Sequence, residues 1–173
     1  MILASRSPQR TAILDQLGIA HTVAPADVEE LTEGDPRQVA LENARRKAGG
    51  RPDTLGVDTL VALDDRIYGK PADEGHARET LLALSDATHL VVSGLVYEDD
   101  GVVVTTEVTF RDVEPLLDWY LATGEWRGRA GGYAIQGRGA ALVRGIRGDY
   151  LNVVGLPVAA LVDLVGTDLL QLG

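Results

Sequence analysis

Asp58 is the residue of this chain best placed to do chemistry. It stands inside GVDTLVALDDRIYGKP, residues 56–71, among Leu55, Val57, Leu60, Val61 and Leu63. Such an apolar run reads as a buried strand. A carboxylate in that setting is costly unless it is paired or binds a metal. Tyr68, Gly69, Lys70 and Pro71 follow the polar turn Asp64-Asp65. A strand, a turn and a second strand would return Lys70 towards Asp58. An acid and a base meeting at a sheet edge suit a phosphate-handling site, and equally a structural ion pair.

Three other clusters offer related chemistry. Ser5, Arg6, Ser7, Gln9 and Arg10 surround a predicted helix start after a short strand. Helix N-terminal N–H groups attract anions, and hydroxyls with an arginine fork would complete a phosphate cradle. The plain alternative is a Ser7 N-cap with solvated arginines. Glu29-Glu30, with Asp58, could supply oxygen ligands to magnesium, or could simply face solvent. Gln136, between the glycines that end residues 124–139, offers donor and acceptor together to a base edge. His21, His76 and His89 lie in different predicted elements without metal-ligand spacing, so none is assigned to catalysis.

The elements that must carry these residues alternate. Ile2 to Ala4 and Ile19 to Ala24 read as strands, with a helix from Ser7-Pro8 to Gly18 between them. Asp35-Pro36 opens a helix that runs to Gly49-Gly50. On it Ala40, Asn43, Ala44, Lys47 and Ala48 share one small-residue face, so Lys47 either snorkels past the core edge or points into a cleft. Strands at 55–63 and 66–69 follow, and then a helix capped by Asp73. His89–Tyr97 and Val102–Phe110 read as a hairpin across Asp99-Asp100-Gly101. A helix over 112–122, a glycine-rich loop over 124–139, a strand over 140–146 and a helix from Pro157 to about Val165 complete the chain. The pattern is α/β with a mixed sheet and no strict βαβ repeat.

Composition narrows the choices. The 173 residues fit one domain, and 45 % hydrophobic content is enough for a substantial core. A net charge of −10 argues against a nucleic-acid polymer as partner, while local cations or a metal can still reverse the field in one cleft. The absence of cysteine excludes disulfides and thiolate chemistry. Residues 1–4 are too short an apolar run for a signal peptide or a membrane span, which gives the expectation of a cytoplasmic protein without a membrane partner.

Taken in order, these motifs resemble one family over nearly the whole chain. Leu3-Ala-Ser-Arg-Ser-Pro-Gln-Arg10 resembles the L-A-S-x-S-P-R-R opening of the Maf nucleoside triphosphate pyrophosphatases, the septum-formation-inhibitor proteins. Gly56-Val-Asp-Thr59 is similar to their G-A-D-T, Gly69-Lys70-Pro71 to G-K-P, and Leu84-Ser-Asp-Ala-Thr-His89 to L-S-G-x-x-H. Ala130-Gly-Gly-Tyr-Ala-Ile-Gln-Gly137 is similar to A-G-A-Y-G-I-Q-G, and 149–157 to S-Y-x-N-V-V-G-L-P.

The resemblance implies a single domain over 1–173 with a two-lobed, inosine-triphosphatase-like α/β fold, a central mixed sheet and a nucleotide cleft. It implies hydrolysis of triphosphates to monophosphate and pyrophosphate with a divalent metal, magnesium first and manganese or cobalt next. By motif, Asp58 becomes the proton acceptor and, with Glu30, a metal ligand. Ser5, Ser7, Arg10, Lys47 and Lys70 become substrate-binding residues. Thr59 and Gln136 match positions linked to base selection in the branch acting on dTTP and UTP; the sister branch prefers 7-methyl-GTP. The family name carries an influence on cell division, and a homodimer is consistent with the family's tendency to dimerise. A non-catalytic nucleotide-binding regulator of septum formation is the alternative reading, and an inosine-triphosphate-type pyrophosphatase is disfavoured by the GVDT and AIQG matches.

The chain departs from the family pattern at four positions. Gln9 stands where the dTTP/UTP branch has arginine, a third specificity position. Val57 replaces alanine, Asp86 replaces glycine, and Arg129 replaces lysine. Of these, Gln9 bears on specificity.

Overall fold

Period-two alternation along one long strand organises the molecule. The computed structural model describes residues 1–170. In it β3 (Thr54–Leu63) turns successive side chains to opposite faces. Gly56, Asp58, Leu60 and Ala62 face the helix α2 (Pro36–Ala48), where Leu60 and Ala62 pack with Val39 and Ala40. Leu55 and Val57 face the other way, into a cluster with Leu3, Ile13, Leu14 and Leu161.

The strands form one seven-stranded mixed sheet in the order β2-β1-β3-β5-β6-β7, with β4 added on β3. β1 (Ile2–Leu3) pairs parallel with both β2 (Thr22–Val23) and β3, whereas β3, β4 (Arg66–Tyr68), β5 (Thr88–Tyr97), β6 (Asp100–Phe110) and β7 (Val143–Arg147) pair antiparallel with one another. The helices are α1 (Pro8–Gln16), α2, α3 (Glu74–Ala83), α4 (Leu117–Ala122), α5 (Tyr150–Val154) and α6 (Val158–Val165). A second core gathers α3, α4 and the glycine-rich segment over Val61, Val91, Val108 and Phe110. No described helix is long and apolar enough to cross a membrane.

α2 lies unusually close to the sheet, and two glycines permit it. A Cβ on Gly56 would stand 2.0 Å from the carbonyl oxygen of Ala44, and one on Gly94 would stand 2.3 Å from that of Ala40. Ala40, Ala44 and Ala48 are fully or almost fully buried on the facing stripe. Asp35 starts the helix by accepting from Gln38 N at 2.9 Å, and Gly49 ends it in the left-handed region. The close packing sets Asn43 and Lys47, one turn apart, against Asp58.

Several element boundaries differ from the sequence expectation. The β5–β6 hairpin turns on Glu98-Asp99, because Tyr97 already pairs with Asp100 and Glu98 adopts φ 54°. The helix expected over 112–122 opens as a 3-10 turn at Glu114–Leu116 and becomes α-helical at Leu117. The stretch expected as a strand from Ala140 begins as a 3-10 turn, Arg138–Leu142, before β7. α5 was not expected from the sequence. Asp149 nucleates it by accepting from Leu151 N at 2.7 Å and Asn152 N at 3.2 Å. Asp86, where the resemblance leads one to expect glycine, holds φ 51°, a conformation that aspartate tolerates better than most residues.

Candidate active site

A cleft of about 540 Å³ opens where α1, the segment before α2, β3 and the glycine-rich segment meet. Asp58 stands in it and is only 7 % exposed. Lys47, not Lys70, is its ion-pair partner. Lys47 Nζ lies 2.6 Å from Asp58 Oδ1 and 2.8 Å from Glu30 Oε1. The strand-turn-strand geometry does bring Lys70 to the same cleft, where it is exposed and pairs with no described carboxylate. The proximity of Lys70 to β3 follows from the register Val61↔Tyr68.

The second oxygen of Asp58 is held from the helix. Asn43 Nδ2 donates to Asp58 Oδ2 at 3.0 Å and to the Leu31 carbonyl at 3.0 Å, while Asn43 Oδ1 accepts from Leu31 N at 2.7 Å. Asn43 had no assigned role in the sequence reading beyond sharing a helix face with Lys47. The i, i+4 spacing of the two polar residues on an otherwise alanine-rich stripe was the signal available.

Arg10 departs from the expected phosphate fork. It is buried, and four of its five N–H groups serve the protein itself. Nε donates to the Gly155 carbonyl at 2.9 Å, Nη1 to Ser5 Oγ at 2.7 Å and to the Val57 carbonyl at 3.0 Å, and Nη2 to Thr59 Oγ1 at 3.0 Å. Burial lowers its pKa to about 10 against the raising influence of Asp58 and Glu30, so it stays charged near neutrality. Thr59 is likewise engaged, with Ser93 Oγ at 2.8 Å on β5. Arg10 thus ties α1, β3 and the turn after α5 into one frame, and one N–H on Nη2 is left over.

The start of α1 remains open to an anion. Ser7 occupies the N-cap position but makes no side-chain cap bond; its hydroxyl donates to Gln9 Oε1 at 3.1 Å instead. No acidic residue stands in the first turn. Ser5 Oγ accepts from Ser7 N at 3.2 Å and from Arg10, which fixes the approach to the helix.

On the opposite rim, Gly131 N donates to the Gly69 carbonyl at 3.1 Å, which fastens the Lys70 turn to the glycine-rich segment. Gln136 sits exposed at this rim, after buried Tyr133, Ala134 and Ile135. The carboxylate of Glu125, also missed in the sequence, accepts from Arg138 N at 2.7 Å and Gly139 N at 3.3 Å and so pins the turn just after Gln136.

The histidines lie away from this chemistry. His89 is fully buried against Tyr133 and Phe110, His21 Nδ1 bonds the Ile19 carbonyl, and His76 Nδ1 accepts from Ala72 N.

The electrostatics of the cleft oppose those of the whole chain. Arg6, Arg10, Lys47, Lys70 and Arg129 line it against two carboxylates, Glu30 and Asp58. Five cations against two anions leave a local excess of positive charge in a protein of net charge −10.

The two carboxylates converge on one ammonium, an all-oxygen donor pair of the kind magnesium takes alongside substrate phosphates. Glu29 turns only its backbone carbonyl to Arg46, at 3.0 Å, and its side chain is exposed. Among the described residues no cluster of three or more His, Asp or Glu side chains could hold a metal unaided. An ion held by Asp58 and Glu30 would therefore draw its other ligands from substrate and water.

The model of the Maf-like protein family matches residues 1–167. The chain belongs to the Maf-like family. Among its relatives is a protein of Pyrococcus furiosus named dTTP/UTP pyrophosphatase, 42 % identical across 95 % of this chain and 93 % of its own length. Proteins of the same name from Anaeromyxobacter dehalogenans and Exiguobacterium sibiricum are each 43 % identical, across 92 % and 91 % of this chain and 89 % and 87 % of theirs. The Maf-like fold and the cleft thus cover the same stretch of chain as the similarity.

Proposed function

We propose that this Maf-like chain is a nucleoside triphosphate pyrophosphatase that acts on dTTP and UTP and releases monophosphate and pyrophosphate. The observation that carries the reading is the cation-lined cleft closed around a nearly buried Asp58. Its volume suits a nucleotide-sized ligand, and its charge suits a polyphosphate.

Hydrolysis at the α-phosphate needs a deprotonated water, neutralisation of equatorial charge and stabilisation of departing pyrophosphate. Asp58 accepts the proton of the attacking water. Lys47, between Asp58 and Glu30, meets the phosphate oxygens nearest that carboxylate. Lys70 on the opposite rim and the open N-terminus of α1 take the remaining charge. Asp58 and Glu30 would hold a divalent ion, magnesium by the hardness of the donor set, which when bound acidifies water and neutralises phosphate charge. Gln136 reads the pyrimidine edge through its amide donor and acceptor. Arg10 and Thr59 serve by holding the frame of the cleft.

The test is release of pyrophosphate by purified protein with Mg²⁺ over a panel of UTP, dTTP, CTP, GTP, ITP and 7-methyl-GTP. Pyrophosphate from UTP and dTTP at the highest kcat/KM supports the reading. Nucleotide binding without turnover would replace it with that of a regulator, and preference for ITP with that of a different pyrophosphatase.

A further inference from the structure

We propose that Asn43 is a positioning residue that sets the Asp58 carboxylate and the Glu30-bearing segment in register with one another. The inference rests on the assignment of Asp58 as proton acceptor. Three hydrogen bonds from one side chain carry it. Both amide hydrogens are committed, one to Asp58 Oδ2 at 3.0 Å and one to the Leu31 carbonyl at 3.0 Å. The amide oxygen accepts from Leu31 N at 2.7 Å. Asn43 is 2 % exposed, so these bonds compete little with water.

The pairing with Leu31 copies the donor and acceptor pattern of a neighbouring strand. It gives residues 24–35, which have no helix and no strand pairing, a fixed point on α2. That fixed point is the residue next to Glu30. The same amide fixes which lone pairs of Asp58 stay free. Oδ2 is bound from the Asn43 side and Oδ1 from the Lys47 side, which leaves the carboxylate no freedom to rotate. A water poised for proton transfer needs that orientation held to a fraction of an ångström. Alanine at 43 would suit the helix, and its neighbours at 40, 44 and 48 are alanines, so the helix itself does not require asparagine here.

The test compares the parent with Asn43→Ala and Asn43→Ser, a side chain too short to span both partners. Readouts are the kcat and KM for UTP and the hydrogen exchange of the Leu31 amide. The expected result is a fall of about 10–100-fold in kcat with KM changed by less than roughly threefold, together with faster exchange at Leu31. A kcat within about twofold of the parent, or unchanged Leu31 protection, overturns the positioning role while the pyrophosphatase reading stands. Failure of both variants to fold makes Asn43 a residue of the fold and likewise overturns it. A parent that releases no pyrophosphate overturns the functional reading itself, and with it this inference.

Discussion

The Lys47 ammonium lies 2.6 Å from the Asp58 carboxylate, and both residues are buried. Removing either partner has a different consequence. Asp58→Asn leaves Lys47 its contact with Glu30 at 2.8 Å and preserves side-chain volume. The variant is expected to fold and to lose activity by about two to four orders of magnitude, the scale for an acid–base group. Lys47→Met leaves a carboxylate in a largely buried site with Asn43 as its remaining hydrogen-bond partner and the charge of Arg10 nearby. A stability loss of roughly 3 kcal/mol is expected, the lower end for a broken buried pair because the cleft admits water. Urea unfolding and pyrophosphate kinetics on the two variants check the asymmetry. Near-parental turnover by Asp58→Asn removes that residue from catalysis.

Glu30 is 44 % exposed on its side chain and sits outside both helix and strand. Its substitution by glutamine is expected to change stability by no more than about 1 kcal/mol, the scale of a partly exposed ion pair. The same change removes one of the two charged oxygens that converge on Lys47. The Mg²⁺ concentration for half-maximal activity should therefore rise. Superimposable metal titrations of parent and Glu30→Gln would leave Glu30 as a surface residue.

His89 gives stability an acid dependence that is independent of the cleft. Its ring is fully buried between Phe110 and Tyr133, whose hydroxyl lies 2.9 Å from Nε2. Burial pushes its pKa down from 6.5 to about 4. Between those values the unfolded chain binds a proton that the folded chain refuses, so stability falls as pH drops from about 6.5 to about 4 and this contribution is complete above 6.5. The loss amounts to at most about 3 kcal/mol at 1.36 kcal/mol per pKa unit. Urea midpoints from pH 7 to pH 4 should fall more steeply in the parent than in His89→Leu. Parallel curves would show that His89 titrates normally in the folded protein.

Much of this fold could be read from patterns of a few residues. The small stripe of α2 and the apolar run around Asp58 carried their own periodicities. Asp35-Pro36 and Gly49 marked the helix ends by local chemistry. The sequence was less informative where long-range contacts decide. Nothing local says that Lys47 rather than Lys70 reaches Asp58, since that depends on how closely Gly56 and Gly94 let α2 approach. Arg10 looked free for a phosphate because its partners, Val57, Thr59 and Gly155, lie 47 to 145 residues away. α5 was hidden because five residues carry too little periodicity to separate a helix from a strand.

Gln9 is the position at which base selection by the proposed pyrophosphatase can be tested. It stands at the start of α1, where the resemblance leads one to expect arginine, and its amide oxygen accepts the Ser7 hydroxyl at 3.1 Å. The Ser7 proton is thereby directed at Gln9 rather than at a ligand. The rim near α1 also lacks one formal charge that an arginine would supply. A hydrogen bond to a charged group contributes about 1.5–3 kcal/mol, enough to alter a specificity ratio by tenfold or more. The parent is therefore expected to hydrolyse UTP and dTTP best, with a flatter preference that also admits CTP. Gln9→Arg should break the bond from Ser7, restore the cation and raise kcat/KM for UTP over CTP by about tenfold. Arginine at a helix N-terminus opposes the helix dipole, at a cost of some tenths of a kcal/mol, so a small drop in thermal stability should accompany the gain. The measurement is the set of kcat/KM values for UTP, dTTP, CTP, GTP and 7-methyl-GTP in both proteins. Unchanged ratios in the variant would clear Gln9 of any part in selection, and a parent that strongly prefers 7-methyl-GTP would move the chain to the sister branch.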